Sequence, residues 1–204
     1  MKVLLHPCYF GSISFWLTVI NANQLVLEVC DNYQKQTQRN RCNILAANGI
    51  LTLTVPVNFS QKNRTAVTDV QIASSNWQSQ HLKSLNSAYK MSPFYEYYID
   101  DIAAIVNREY PSLLELNISS VKLIAELLEL PLSYKVTRNY RRHPIGIIDS
   151  RYLVKKNSPS PYKLKEYTQV YTYKYGFKPD LCILDLLFNE GPNTENFLRK
   201  HLPV

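Results

Sequence analysis

Lys2 to Leu5 opens the chain with a short apolar run that reads as a buried strand. His6-Pro7 ends it, and Gly11-Ser12 supplies a turn and a helix N-cap. Residues 13–20 are apolar on nearly every face, which predicts a buried helix. Asn21 to Gln24 turns the chain into a second buried strand, Leu25 to Val29. Strand, helix and strand within about thirty residues is the pattern of a βαβ unit on a parallel sheet.

Further along, Asn48-Gly49 marks a tight turn between two runs, and Ile50 to Val57 is rich in β-formers up to Pro56. Val67 to Ile72 predicts another short strand. Asn76 can cap a helix with Trp77, His81, Leu85 and Ala88 on one face. Ser92-Pro93 opens a second helix, with Phe94, Tyr98, Ile102, Ile105 and Val106 inward. Ser119 or Ser120 opens a third, carrying Leu123, Ile124, Leu127 and Leu128 and stopped by Pro131. Short strands and loops follow to Tyr175, among them the Ser158-Pro159-Ser160-Pro161 loop. Asp180 can cap a last helix, with Ile183, Leu184, Leu187 and Phe188 apolar, and Gly191-Pro192 ends it.

Composition adds a balance of 46% apolar to 19% charged residues, enough side chain for a real core and too little charge for a disordered chain. With no repeat and no long linker, the reading is a single domain over residues 1–204. The net charge of +7 is uneven: Tyr134 to Lys178 holds 11 Lys or Arg against Asp149 and Glu166, so this third is strongly basic and the remainder slightly acidic. It also holds 8 of the 15 tyrosines, a mixture suited to phosphates, nucleic acid or acidic lipid. Cys8, Cys30, Cys42 and Cys182 form no C-x-x-C pair, which argues against a zinc or redox motif. No secretory signal is visible, and the longest apolar segment falls far short of the ~20 residues that span a bilayer, so a cytoplasmic protein without a transmembrane segment is expected.

Three polar segments are candidates for chemistry. The loop His6-Pro7-Cys8-Tyr9-Phe10-Gly11 leaves a strand at its carboxyl end, where ligands bind in open α/β sheets. His6 there is either a ligand-binding or acid–base residue, or a strand-end histidine bonded to backbone. Asp31 to Arg41 follows the second strand and so belongs to the same sheet edge. Its Lys35, Arg39, Asn40 and Arg41 suit an anionic group, because an arginine fork pairs with carboxylate or phosphate, while Asp31 could orient a nucleophile. The bland alternative is a solvated loop. In the block from Asp185 to Pro192, which includes Glu190, Asp185 and Asn189 are four apart and share a helix face, and they either close over a pocket or satisfy neighbouring backbone near the helix end. Trp77 and His81 share a face and either stack on a ligand or pack in the core. Asp31 and Asp185 could hold magnesium with a phosphate, although no metal-ligand spacing is present.

These motifs together resemble the WbqC-like family, in its short Bacteroidetes-type form. The resemblance rests on His6-Pro7-x-Tyr9-Phe10-Gly11, on Asn32-Tyr33-x-Lys35-Gln36-Thr37-x-Arg39-Asn40-Arg41 and on the block from Ile183 to Pro192. Leu51 to Pro56, Trp77, His81 and Ser92-Pro93 are also similar. The resemblance implies a place beside O-antigen and other surface-polysaccharide functions, and a role in transferring glycine or another aminoacyl group to a sugar. Many relatives open with Gln-Pro instead of His-Pro, which implies that an acid or base at His6 is not essential and favours binding there.

The expectation is therefore an α/β fold with a mainly parallel, Rossmann-like sheet, nucleotidyltransferase-like by analogy. The leading functional expectation is group transfer from a small anionic or activated-sugar substrate, with Asp31, Asp185 and His6 as catalytic candidates. Tyr9, Lys35, Arg39, Asn40, Arg41, Trp77, His81, Asn189 and Glu190 are the substrate-binding candidates. The alternatives are a non-catalytic module for nucleic acid (the less favoured partner) or an acidic polymer, and an assembly partner of a polysaccharide enzyme. Donor, acceptor, cofactor and oligomeric state are not written in the sequence.

Overall fold

The opening unit is β1 (Lys2–Leu5), α1 (Ile13–Ile20) and β2 (Gln24–Leu27), in a computed structural model that describes residues 1–60, 62–156 and 158–201. The start of α1 is capped twice. Ser12 accepts from the Phe15 amide, and the Asp180 carboxylate accepts from the Ser14 amide at 2.7 Å. Asp180 thus caps the first helix, not the last one as its position in the sequence suggested; the last helices begin without a side-chain cap.

A hairpin of β3 (Arg41–Ala46) and β4 (Gly49–Thr54) turns through Ala47-Asn48, with Gly49 opening β4 at φ 103°. Pro56, which has no N–H for a ladder, ends the expected 50–57 strand early, and the chain resumes as β5 (Val57–Asn58). The expected 67–72 strand is a 3-10 turn at Val67–Asp69 followed by β6 (Gln71–Ile72), which pairs with β5.

Three helices follow: α2 (Trp77–Tyr89), α3 (Tyr95–Asn107) and α4 (Leu113–Leu127). The third starts well before Ser119, because Ser112 accepts from the Glu115 amide and supplies the cap. Ser120 instead lies mid-helix and returns its hydroxyl to the Asn117 carbonyl. Ser92 does not cap α3; its hydroxyl is buried without a partner.

β7 (Tyr134–Val136) and β8 (Ile148–Asp149) come next, then the short α5 (Thr172–Tyr175), α6 (Ile183–Glu190) and α7 (Thr194–Arg199). The segment around Tyr171 is therefore helical, not a strand, and α7 extends beyond the helix expected to be last. Gly191 ends α6 with φ 53°, and a Cβ there would collide with the Phe94 ring, so the close approach of α6 to the start of α3 requires glycine.

The central sheet has the order β7-β2-β1-β8, and every pairing is parallel. The fold is α/β with an all-parallel central sheet flanked by helices, as the sequence pattern predicts. Alternation along the strands divides its faces. Val3, Leu5, Leu25 and Leu27 enter a hydrophobic cluster that runs from Val3 to Leu198 and takes in residues of α1, α2, α3, α4 and α6. Leu4 and Val26 lie outside that cluster and line a groove together with residues 137–147. Because the strands are parallel, the residues that leave them are collected at one carboxyl edge: His6 after β1, Glu28 after β2, Thr137 after β7, and Asp149 with Arg151 at β8. The described helices include none long and apolar enough to cross a membrane.

Candidate active site at the carboxyl edge of the sheet

His6 leaves β1 into a cavity of about 410 Å³ whose lining includes His6, Asp31, Arg39, Asp149, Arg151 and Lys155. That volume lies within the roughly 300–1,000 Å³ usual for small-molecule sites. Its lining carries Arg39, Arg142, Arg151 and Lys155 against Asp31 and Asp149, an excess of positive charge. The Asp31–Arg41 segment forms one wall. It is fastened where Gln38 donates to the Val154 carbonyl and accepts from the Tyr9 amide, and where the Val55 amide meets the Asn40 carbonyl. Asn117 of α4 donates to both the Pro7 and the Arg39 carbonyls, at 3.3 and 2.7 Å, and so ties the two loops together from below.

Arg39 is only 1% exposed. Its Nη2 donates to His6 Nε2 at 2.7 Å and to Asp31 Oδ2 at 2.8 Å. The protons follow from this geometry. A guanidinium can only donate, so His6 Nε2 must be a lone pair and the ring is neutral with its proton on Nδ1. The 3.4 Å approach of His6 Nε2 to Asp31 is therefore not an ion pair; both groups share one donor. Burial, with Arg39 and Arg151 adding repulsion, pulls the His6 pKa down to about 2, against a smaller opposing pull from the Glu28 backbone. A histidine held neutral in this way is an acceptor for Arg39, not a proton carrier near neutral pH.

A second arginine sits beside the first but is nearly saturated. Arg151 donates to Asp149 from Nε and Nη2 at 2.8 and 2.7 Å, to Glu28 at 3.1 Å and to the Arg142 carbonyl. Glu28 is also filled, taking the Thr137 hydroxyl and the Cys30 amide. The hydrogen bonds from Arg151 hold the Asp149 carboxyl below its usual range, and those to Asp149 raise Arg151. Arg39 differs, because its Nε and Nη1 are buried with no hydrogen-bond partner. Such donors cost roughly 1–3 kcal/mol each when unmet, so the guanidinium that borders the cavity keeps two buried donors free behind its wall.

The other expected site residues separate from this cavity. Lys35 is exposed and Asn40 is buried with Nδ2 on the Val55 carbonyl; neither lines it. Arg41 opens β3 and lines a separate narrow recess beside Asp180, so the expected pair of arginine forks does not converge. Tyr9, Trp77 and His81 form a packed aromatic group in the core. His81 donates from Nε2 to the Thr54 carbonyl and accepts the Tyr9 hydroxyl at Nδ1, and burial pulls its pKa down to about 4. Trp77 also borders a surface recess with Arg108 and Tyr110.

Asp185 is fully buried and accepts from the Tyr89 hydroxyl, the Tyr167 hydroxyl and Gln169 Nε2 at 2.8, 2.6 and 3.0 Å. Burial raises its pKa, and these three donors oppose the shift. Asn189 returns its amide to the Asp185 carbonyl, and Glu190 accepts from Asn193. Asp31 and Asp185 thus belong to separate networks and do not form one magnesium site. Sequence reading missed Glu28, Thr137, Tyr140, His143, Asp149, Arg151 and Asn117. The basic run after Tyr134 was the available signal for part of this set, but only the sheet order brings it to Arg39.

The sequence profile of the WbqC-like protein family matches residues 6–149. The chain belongs to that family. The match begins at His6 and ends at Asp149, and so spans Asp31 and Arg39 but not Arg151 or the Asp185 block. No curated protein and no solved structure matches the chain.

Proposed function

We propose that this WbqC-like protein is a group transferase of surface-polysaccharide synthesis, acting on a small activated substrate that carries phosphate or carboxylate. One observation carries the reading: the buried Arg39 guanidinium borders the cavity with Nη2 anchored and Nε and Nη1 unmet. A fixed fork of this kind binds an anionic group in two directions and stabilises charge that gathers on it as a bond breaks. Asp31 and His6 hold the fork in place. Asp31 also reaches the cavity lining, and it orients the attacking amine or hydroxyl. Arg142 and Lys155, exposed at the rim, draw the anion in. Asp185 takes no part in the chemistry, being sealed in the core.

A thermal-shift panel tests this reading, with sugar nucleotides, nucleotides, coenzyme A esters and aminoacyl compounds, each with and without magnesium. A ligand at about 100 times its Kd stabilises by roughly 2.7 kcal/mol, a shift of several degrees. The expected result is a hit among the anionic donors that is lost in Arg39→Lys, which keeps the charge and removes the fork. A panel without hits, or a hit indifferent to both Arg39→Lys and Lys155→Ala, overturns it.

A further inference from the structure

We infer that the segment joining β7 to β8 docks the protein on an anionic phospholipid surface, independently of what the cavity binds. β7 and β8 are the two outer strands of the sheet, so residues 137–147 must cross from one edge to the other. They do so without a helix, beside the groove of about 330 Å³ that includes Leu4 and Val26. Pro144, Ile145 and Ile147 supply the rest of its apolar lining.

Two features of this crossing point to lipid. The first is its tip. Ile145 is 90% exposed, the most exposed large hydrophobic residue among the described residues, and it sits between Pro144 and Gly146. Gly146 has φ 71°, yet a Cβ there would meet nothing within 4 Å. The glycine is therefore required by the turn that projects Ile145, not by packing. An aliphatic side chain held into water contributes nothing to folding, but it gains free energy on entering the acyl boundary of a bilayer.

The second is charge. Lys135, Arg138, Arg141 and Arg142 fall between Tyr134 and Ile148 with no carboxylate among them. None of the four forms an ion pair among the described residues. Lys2, Arg138 and Arg141 line the groove itself, and its single carboxylate, Glu28, is already engaged by Arg151. Register places Lys135 beside Val26, on the groove face of the sheet. Cations around a projecting isoleucine complement an anionic interface, where each basic residue near the surface strengthens binding roughly fivefold. Nucleic acid fits less well, since the projecting Ile145 offers no π-face on which a base can stack and the crossing's Tyr140 lines the cavity with its ring under Arg151. Tyr140, Arg142 and His143 of the same crossing line the cavity, so docking brings the cavity mouth close to the lipid.

Vesicle co-sedimentation of the whole chain tests this. Expected is binding to phosphatidylcholine vesicles containing about one-third phosphatidylglycerol, weak binding to phosphatidylcholine alone, and loss of binding as salt shortens the ~8 Å screening length. Ile145→Ser should weaken it on the order of tenfold, and Arg138→Gln with Arg141→Gln roughly 25-fold. All of these positions are exposed, and an unchanged melting temperature confirms that the variants fold. Absence of binding to anionic vesicles at low salt, or Ile145→Ser binding as tightly as the parent, overturns the inference. So does tight binding to a short single-stranded DNA that Ile145→Ser leaves intact while vesicles are ignored.

Discussion

Arg39 and Asp185 are both buried ionisable residues in polar blocks of a largely apolar chain, yet their surroundings differ in kind. Asp185 takes three donors and does not line the central cavity. It is a finished network, and such a network specifies a core. Arg39 has one nitrogen satisfied twice and two buried without a partner, in a residue that lines the cavity. Burial is common to the two. What divides them is the combination of unmet donors with a place on the cavity lining, since an unmet buried donor such as the Ser92 hydroxyl, away from that cavity, marks no binding site by itself.

The sharpest way to break this comparison is at Asp185. Asp185→Ala leaves the Tyr89 and Tyr167 hydroxyls without their acceptor, while the Gln169 amide keeps the Lys178 carbonyl, and should lower unfolding free energy by on the order of 3–5 kcal/mol in urea titration. Ligand affinity per folded molecule should not change. A variant of near-parental stability with lost binding would make Asp185 part of the site after all. Next comes the Arg39–Asp31 pair. Arg39→Met strands a buried carboxylate and Asp31→Asn weakens the anchor, but together they remove both charges. The double variant should be more stable than the sum of the single losses by about 0.5–3 kcal/mol. Strict additivity would mean that Asp31 does not hold Arg39.

The smallest effect concerns His6. Its folded pKa lies below its unfolded value of about 6.5, so its contribution is present above that pH and is lost as pH falls and the unfolded chain takes up the proton. His81, at about 4, acts in the same sense over a shorter range. The raised carboxyls of Asp180 and Asp185 act oppositely, so the informative quantity is a difference between proteins. His6→Gln keeps an acceptor for Arg39 and removes the titration. Between pH 6 and 4 it should lose stability less steeply than the parent, by up to about 1.4 kcal/mol per pH unit. Its ligand binding at pH 7 should be close to parental, as expected for an acceptor role; a collapse of binding would restore His6 as a chemical participant.

Much of the frame was legible from local pattern. The β1-α1-β2 unit, the Asn48-Gly49 hairpin and the Gly191 helix end are all governed by neighbours in sequence, and they lie where periodicity and turn chemistry put them. The failures are equally specific. Ser119 and Ser120 looked like a helix start because a serine can cap, but one inside a helix can equally return its hydroxyl to the preceding turn, as Ser120 does. Arg39 and Arg41 looked like one clamp, yet β3 begins only at Arg41, so the two side chains lie in different local structures and border different cavities. Asp180 looked like the cap of the helix next to it and serves the helix far before it.

The sequence alone determined the α/β class, the placing of His6 and the Asp31–Arg41 segment at one sheet edge, and the concentration of basic charge after Tyr134. These depend on short-range steric preferences and on the alternation of apolar and polar residues. Only the tertiary structure decided which charges meet. The order β7-β2-β1-β8 brings Asp149 and Arg151 to the edge where His6 and Glu28 emerge, and it draws the intervening basic crossing over the sheet. Hydrogen bonds and Coulomb interactions act over a few ångströms whatever the separation along the chain, so partners set by strand order leave no periodic trace in the sequence.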